Sequence, residues 1–170
     1  DAPLGKIFYG LMLYPNGGAV DDMLVYKRGE NDFFLVINAG NIDKDVDWIM
    51  QNKEDFNVEV IHESDYYGEI AVQGPESESN IENILGIACS DLAFYTFKTL
   101  TYEGETIIIS RTGYTGEDGF EIYASHELTC KFWDKLIESG KVAPCGLGCR
   151  DTLRFEVGLP LYGDELSEEI

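Results

Sequence analysis

Two spacings of apolar residues alternate along this chain, a period of two and a helical period, with turn residues between them. In "DDMLVYKRGENDFFLVINAG", β-branched and aromatic residues flank a Gly/Asn/Asp cluster, which predicts two strands joined at "RGEND". The spacing then becomes helical: "NIDKDVDWIMQNK" puts Val46, Ile49 and Met50 on one face, with Asp43 as the expected N-cap. "FNVEVIHE" and "EIAVQGP" predict strands, and Gly74-Pro75 opens a helix over "ESESNIENILG", because proline suits a first helical turn. A hairpin is predicted for "FKTLTYEGETIIISRTG" around Glu103-Gly104, and a strand for "GFEIYAS". "HELTCKFWDKLIES" predicts an amphipathic helix with Leu128, Phe132, Trp133 and Leu136 on its apolar side. A last helix runs from about Leu147 to Val157, stopped by Gly158 and Pro160. Hairpins interleave with helices, so the pattern predicts an α+β fold of antiparallel or mixed sheets with packed helices, not a doubly wound parallel sheet.

Composition narrows the class. At 170 residues, 44% hydrophobic and 12% aromatic, the chain is globular and long enough for one good core or two small ones. No apolar run approaches the ~18 residues of a membrane span, and "DAPLGKIFYG" lacks the basic flank and apolar segment of a signal peptide. A soluble protein with no membrane partner is expected. With 12 basic against 32 acidic residues the net charge is -20, which repels phosphate, so nucleic acid is not an expected partner either. The cysteines Cys89, Cys130, Cys145 and Cys149 form no CxxC pair. Cys145 and Cys149 could meet on one helix face, but only His62 and His126 are available to complete a ligand set, and no metal is expected. Apolar residues near the start (Ile7, Phe8, Leu11, Met12, Leu13) have little before them to pack on, and the chain stops at "GDELSEEI" just after a structured-looking turn. A fragment incomplete at both ends is expected.

Candidate chemistry lies in four clusters. Neither GxxxxGKS/T nor GxGxxG after a strand occurs, which sets phosphate-binding loops aside. His62 and His126 occupy ordinary strand-surface and helix-start positions, so Ser/His/Asp catalysis is not expected. "NGGAVDDMLVY" sets Asp21 beside Asp22 at a strand start; alternate positions point to opposite faces, so the two carboxylates meet different environments. The same residues also make an ordinary solvated turn. "VINAG" ends an apolar strand with Asn38, which can bond a ligand or cap the following helix. In "RTGYTGEDGFEI" the glycines permit positive φ, so the loop can fold tightly and bring Tyr114 and Glu121 to one side. Glu121 stands between Phe120 and Ile122, where a buried carboxylate requires donors. "GLGCRDTLR" supplies Arg150, Asp151 and Arg154, which taken alone is also a helical ion network.

Together and in this order, the clusters resemble the aminomethyltransferase (T-protein) family of the glycine cleavage system. The resemblance runs from about Gly5 to Asp164 through "GGAVDD", "VINAG", "AVQGP", "RTGYTGEDGFEI", "GLGCRDTLR" and "GLPLYG"; Cys149 stands where the family usually has alanine. It implies that family's folate-binding fold, with a ferredoxin-like subdomain. It also implies that residues 1–170 are a central folate-binding region lacking an N-terminal segment and a C-terminal barrel domain. The implied reaction moves the methylene of an aminomethyl group, held on the lipoyl arm of the partner H-protein, to tetrahydrofolate as one-carbon acceptor, with release of ammonia. The isolated fragment is then expected to be inactive. The implied compartment is the bacterial cytoplasm, or the mitochondrial matrix in a eukaryote.

Site residues follow from the same match. Glu121 corresponds to a carboxylate that accepts the pterin's adjacent N3–H and 2-amino donors, with Tyr114 against the ring. Asp22 corresponds to the catalytic acidic residue beside the reacting nitrogen, and Leu24, on the same strand face, to a folate contact. Asp21 receives no role. Asn38 would bond the pterin, Phe94 would stack where some relatives have tyrosine, and Arg150 would neutralise a carboxylate or hold a pterin acceptor. The alternatives are a folate-binding module without transferase activity, as in a tRNA-modifying GTPase domain or an iron–sulfur assembly factor; the folate domain of a demethylating flavoprotein; or an acidic interaction domain with merely structural loops.

Overall fold

A computed structural model of the chain describes residues 2–169. The chain divides into two compact units: one runs to Glu63 and resumes at Pro160, and the other spans Ser64–Leu159.

The first unit is built on strands β1 (Ile7–Leu13), β2 (Ala19–Lys27) and β3 (Phe33–Ile37), antiparallel in the order β1-β2-β3. β2 and β3 are the expected hairpin. β1 is an addition to the sequence reading: Phe8, Tyr9, Leu11 and Leu13 are exposed while Ile7 and Met12 are buried, so its residues give no alternation to read. Its pairing sets Leu11 opposite Asp22 and Met12 opposite Asp21, and the register shifts just beyond. After a short 3₁₀ turn, helix α1 spans Ile42–Asn52. Asn41 holds the N-cap position, and Asp43 falls in the first turn, where negative charge favours the helix's positive end. The expected apolar face is only half-realised, since Met50 is exposed and the residue α1 buries completely is Asp45. "FNVEVIHE" is not a strand. Phe56, Val58 and Ile61 are exposed there, and β-propensity without a neighbouring strand leaves the backbone's hydrogen bonds to water. The tail from Pro160 closes on β2: the Ala19 amide donates to the Ser167 carbonyl at 2.7 Å. A Cβ on Gly18 would lie 1.8 Å from the Glu168 carbonyl oxygen, so this approach requires glycine.

In the second unit, β4 (Gly68–Gln73) leads into α2 (Ser77–Asn80), which widens over Ile81–Leu85 and ends at left-handed Gly86. Strands β5 (Phe97–Tyr102), β6 (Glu105–Ser110) and β7 (Gly119–Ala124) follow, then helices α3 (His126–Glu138) and α4 (Leu147–Glu156). The sheet order is β4-β7-β6-β5 with every neighbour antiparallel. Glu103 and Gly104 both take positive φ, the requirement of a two-residue hairpin turn matched to strand twist. One sheet face, with Ile70, Val72, Ile107, Ile109, Phe120 and Ile122, packs on Ile81, Leu85, Leu128, Phe132 and Leu136. Trp133, expected with this apolar set, is 47% exposed. Period-two alternation in β7 sends Phe120 and Ile122 into this core, and so sends Glu121 and Tyr123 to the opposite face.

Candidate functional site

In the first unit, the strand alternation at β2 separates the aspartate pair as expected. Asp21 is fully buried and Asp22 half-buried. The Asp22 carboxylate accepts from the Tyr9 hydroxyl at 3.0 Å and from Asn38 Nδ2 at 2.7 Å. Asn38 Nδ2 also donates to Asp21 Oδ1 at 2.8 Å, so the two hydrogens of one amide bridge both carboxylates. Asn38 makes no side-chain cap to the following turn. Leu24 lies two residues beyond Asp22 on the same strand face, half-buried, between Tyr9 of β1 and Val36 of β3.

Asp21 is a residue the sequence passed over. Its carboxylate accepts the Asp22 amide at 2.8 Å, Asn38, and Asn41 Nδ2 at 2.7 Å. Burial pushes its carboxyl up, but the neighbouring Asp45 carboxyl and these three bonds outweigh it and hold it below the usual carboxylate range. No spacing rule points to this: Asn38, Asn41 and Asp45 sit in an ordinary loop-to-helix sequence and meet Asp21 only through the fold.

In the second unit, the "RTGYTGEDGFEI" loop is fastened at its ends. Arg111 donates Nε and Nη2 to the two oxygens of Asp118 at 2.8 and 2.6 Å, and Nη1 to the Leu92 carbonyl at 3.0 Å; Glu78 lies 2.9 Å away. The Asp118 carbonyl accepts from the Gly74 amide at 2.7 Å. Two of the loop's glycines serve Gln73: a Cβ on Gly113 or Gly119 would lie 1.9 or 2.0 Å from its Oε1. The Gln73 amide donates to the Thr112 and Phe120 carbonyls, both at 3.2 Å, so this side chain stitches the loop to β7.

Glu121 is buried on β7, opposite Ala71 of β4 and Ser110 of β6. Its Oε2 accepts from the Thr112 hydroxyl at 2.5 Å and from the Tyr123 hydroxyl at 3.5 Å. The donors demanded by an apolar-flanked carboxylate are therefore hydroxyls. Glu69 of β4 faces the same carboxylate. By area Glu69 is open to solvent, yet protein crowds its carboxyl; that crowding and then the Glu121 charge push it up to about 8, against the lowering influence of Arg150. Arg150 also stacks on Tyr114, its guanidinium carbon 4.7 Å from the ring centroid. Tyr114, Glu121 and Arg150 are thus brought to one region of the unit, and Glu69 joins them without a sequence signal. Phe94 is 66% exposed, its ring 4.7 Å from that of Tyr95. Tyr95 takes positive φ, and its amide donates to the Arg111 carbonyl, which ties this aromatic step to the loop. Among the described residues no group of three or more His, Cys, Asp or Glu side chains could hold a metal ion.

Residues 1–170 match the family described as the GCVT N-terminal domain. The chain belongs to this family. It is 49% identical to an aminomethyltransferase of Natranaerobius thermophilus, over 98% of this chain and 46% of that one. It is 50% identical to the Thermoanaerobacter pseudethanolicus aminomethyltransferase, over 97% of this chain and 46% of that one. The crystal structure of glycine cleavage system aminomethyltransferase T from Bartonella henselae superimposes with a TM-score of 0.89 at 31% identity, covering 98% of this chain and 45% of that one. This GCVT chain therefore spans just under half the length of its curated relatives, and it has the α+β fold that the family resemblance implies.

Proposed function

We propose that this GCVT chain is the folate-binding part of a tetrahydrofolate-dependent aminomethyltransferase of glycine cleavage. Its partners in that reading are tetrahydrofolate and an H-protein that carries the aminomethyl group on a lipoyl arm. The observation that carries the reading is Glu121, a carboxylate buried on an interior strand and held by two hydroxyl donors, in a chain whose relatives are aminomethyltransferases. A cytoplasmic setting fits the bacterial sources of those relatives, and no helix among the described residues is long and apolar enough to cross a membrane.

The residues suit a reduced pterin. A pterin's N3–H and 2-amino group need a paired acceptor, and Glu121 offers one whose orientation is already set by Thr112 and Tyr123. In the second unit Tyr114, backed by Arg150, gives a flat wall and exposed Phe94 gives apolar contact; in the first unit half-buried Leu24 is the proposed folate contact. Tetrahydrofolate, when bound, supplies the nucleophilic nitrogens that take up the one-carbon unit. Asp22 supplies a fixed negative charge where positive charge develops as ammonia leaves; Tyr9 and Asn38 hold it there, so little reorganisation is needed during the reaction. Asn38 commits its hydrogens to the aspartates, which leaves its amide oxygen as the proposed acceptor for folate.

The test is formation of 5,10-methylenetetrahydrofolate from aminomethylated H-protein by the longer protein carrying this chain, beside calorimetry with tetrahydrofolate. Transfer and binding are expected. Folate binding without transfer would mark a folate module of another enzyme, and no folate binding would leave an acidic interaction domain.

A further inference from the structure

Asp45 is fully buried in α1, and neither of its carboxyl oxygens receives a hydrogen bond from a donor group. The cation beside it, Lys44, gives its ammonium to the Val20 carbonyl and the face of Tyr162, and stands 3.6 Å from Asp45 Oδ1, beyond hydrogen-bond reach. An ionised carboxylate without donors in such a place is costly. Asn41, at the N-cap one turn before Asp45, donates to Asp21, which brings that aspartate, also fully buried and already accepting from the Asp22 amide and Asn38, to the same side of α1. Two carboxyl groups brought to one buried place satisfy each other when one proton lies between them. Asp21 is the better acceptor because it has the three other donors, so the proton belongs to Asp45. The buried charges then balance, with Asp21 negative, Lys44 positive and Asp45 neutral.

We propose that Asp45 is a neutral carboxylic acid that donates its proton to Asp21 and thereby, through Asn38, positions Asp22. The bridge is specific: Asn38 Nδ2 lies 2.8 Å from Asp21 Oδ1 and 2.7 Å from Asp22 Oδ1, so any shift of Asp21 is transmitted to Asp22. If Asp45 were ionised, Asp21 would lose a donor and face a like charge, which would turn it away from Asn38. Burial pushes Asp45 up to about 7, helped by Asp21 and opposed by Lys44. Other titratable groups around the cluster are Asp22 across Asn38, Tyr162 under Lys44, and Tyr14 with its hydrogen-bonded Glu168. The positioning clause rests on the transferase reading; the shared proton does not.

For the proton, the pH dependence of urea unfolding and the infrared carboxylic-acid band of the full chain are compared with those of Asp45→Asn and Asp45→Ala. The folded state keeps a proton on Asp45 that the unfolded state, with an ordinary carboxyl near 3.8, gives up. Stability from this group is therefore complete below about pH 4 and declines as pH rises towards 7. Asp45→Asn, which keeps a donor towards Asp21, should remove about one proton of this linkage and one carboxylic-acid band while remaining folded at pH 8. An unchanged slope and an unchanged band would overturn the proposal. For positioning, Asp45→Ala in the longer protein should lower turnover about tenfold with KM nearly unchanged, and Asp45→Asn should restore most of it. Equal losses in both variants would reduce Asp45 to scaffolding. A protein showing the band and linkage but no methylene transfer would sink the transferase reading and leave the proton pair standing.

Discussion

Arg111 and Asp118 form a forked ion pair, Nε to Oδ1 at 2.8 Å and Nη2 to Oδ2 at 2.6 Å, that joins the two ends of the loop leading into β7. The third guanidinium nitrogen reaches Leu92, so one side chain ties the loop both to itself and to the segment before β5. Arg111→Lys keeps the charge and loses the fork. It should destabilise the fold by about 2 kcal/mol, less than for a fully buried pair because both side chains keep some solvent. Urea unfolding measures this. A change within ~0.5 kcal/mol, the range of ordinary surface substitutions, would make the pair incidental.

The loop shows how far the sequence could be read. Its glycines announced a tight turn and Glu121 announced a need for donors, and both are met. The identities of the partners were not legible, because Thr112, Gln73, Glu69 and Arg150 arrive from separate elements whose pairing register no local pattern encodes. The same holds for Asp21, where the alternation that buries one aspartate was visible but the polar network receiving it was not. Strands with a partner and a turn signal were read correctly. "FNVEVIHE" was misread because its propensity is real and its partner strand is missing, and β1 was passed over because its apolar residues face the open side.

Gly113 has no positive φ to explain it, so its glycine answers to space alone. Gly113→Ala would drive a Cβ to 1.9 Å from Gln73 Oε1 and should cost about 1–3 kcal/mol through overpacking. In a Gln73→Ala background the same change should be nearly neutral. Additive losses in the double-mutant cycle would mean that Gly113 is required for another reason.

Glu121→Gln keeps the shape of the proposed pterin acceptor and the hydroxyl contacts, while removing the charge. Tetrahydrofolate affinity of the longer protein should fall by roughly 1.5–3 kcal/mol, as for a lost charge-assisted pair. Calorimetry with unchanged affinity would remove Glu121 from the folate site.

The aspartate pair separates chemistry from architecture. Asp22→Asn should lower turnover on the order of 100-fold while folate binding falls less, as expected of an interaction realised mainly in the transition state. Asp21→Asn turns an acceptor of at least three hydrogen bonds into a mixed donor and acceptor; it should lower stability by about 2 kcal/mol and, acting on Asp22 only through Asn38, lower turnover about tenfold, well short of the Asp22 loss. If the stability loss followed Asp22 and the kinetic loss followed Asp21 alone, the roles would be exchanged.

Glu69 and Glu121 are diagonal neighbours on one sheet face, Glu69 opposite Tyr123 and Glu121 opposite Ala71, and this pair should give the second unit its own pH dependence. The Glu69 carboxyl is raised from its ordinary value of 4.5 to about 8, first by the protein crowding it and then by Glu121. A raised carboxyl means the folded state binds the proton more tightly than the unfolded chain does. Its stabilising contribution is therefore present below about 4.5 and fades as pH rises towards 8. Glu69→Gln, which mimics the protonated form, should flatten that part of the stability profile while leaving the Asp45 contribution in place. It should also weaken the pH dependence of folate affinity, because Glu69 no longer gains a charge beside Glu121 as the solution is made alkaline. Unfolding curves at several pH values, measured for wild type, Glu69→Gln, Asp45→Asn and the double variant, resolve the two contributions. They should add, because the hydrogen bonds of one pair run to Asn38, Asn41 and the Asp22 amide and those of the other to Thr112 and Tyr123. A Glu69→Gln profile that overlays the wild type would show that this carboxyl titrates normally, and that Glu121 stands in the site without a proton-sharing neighbour.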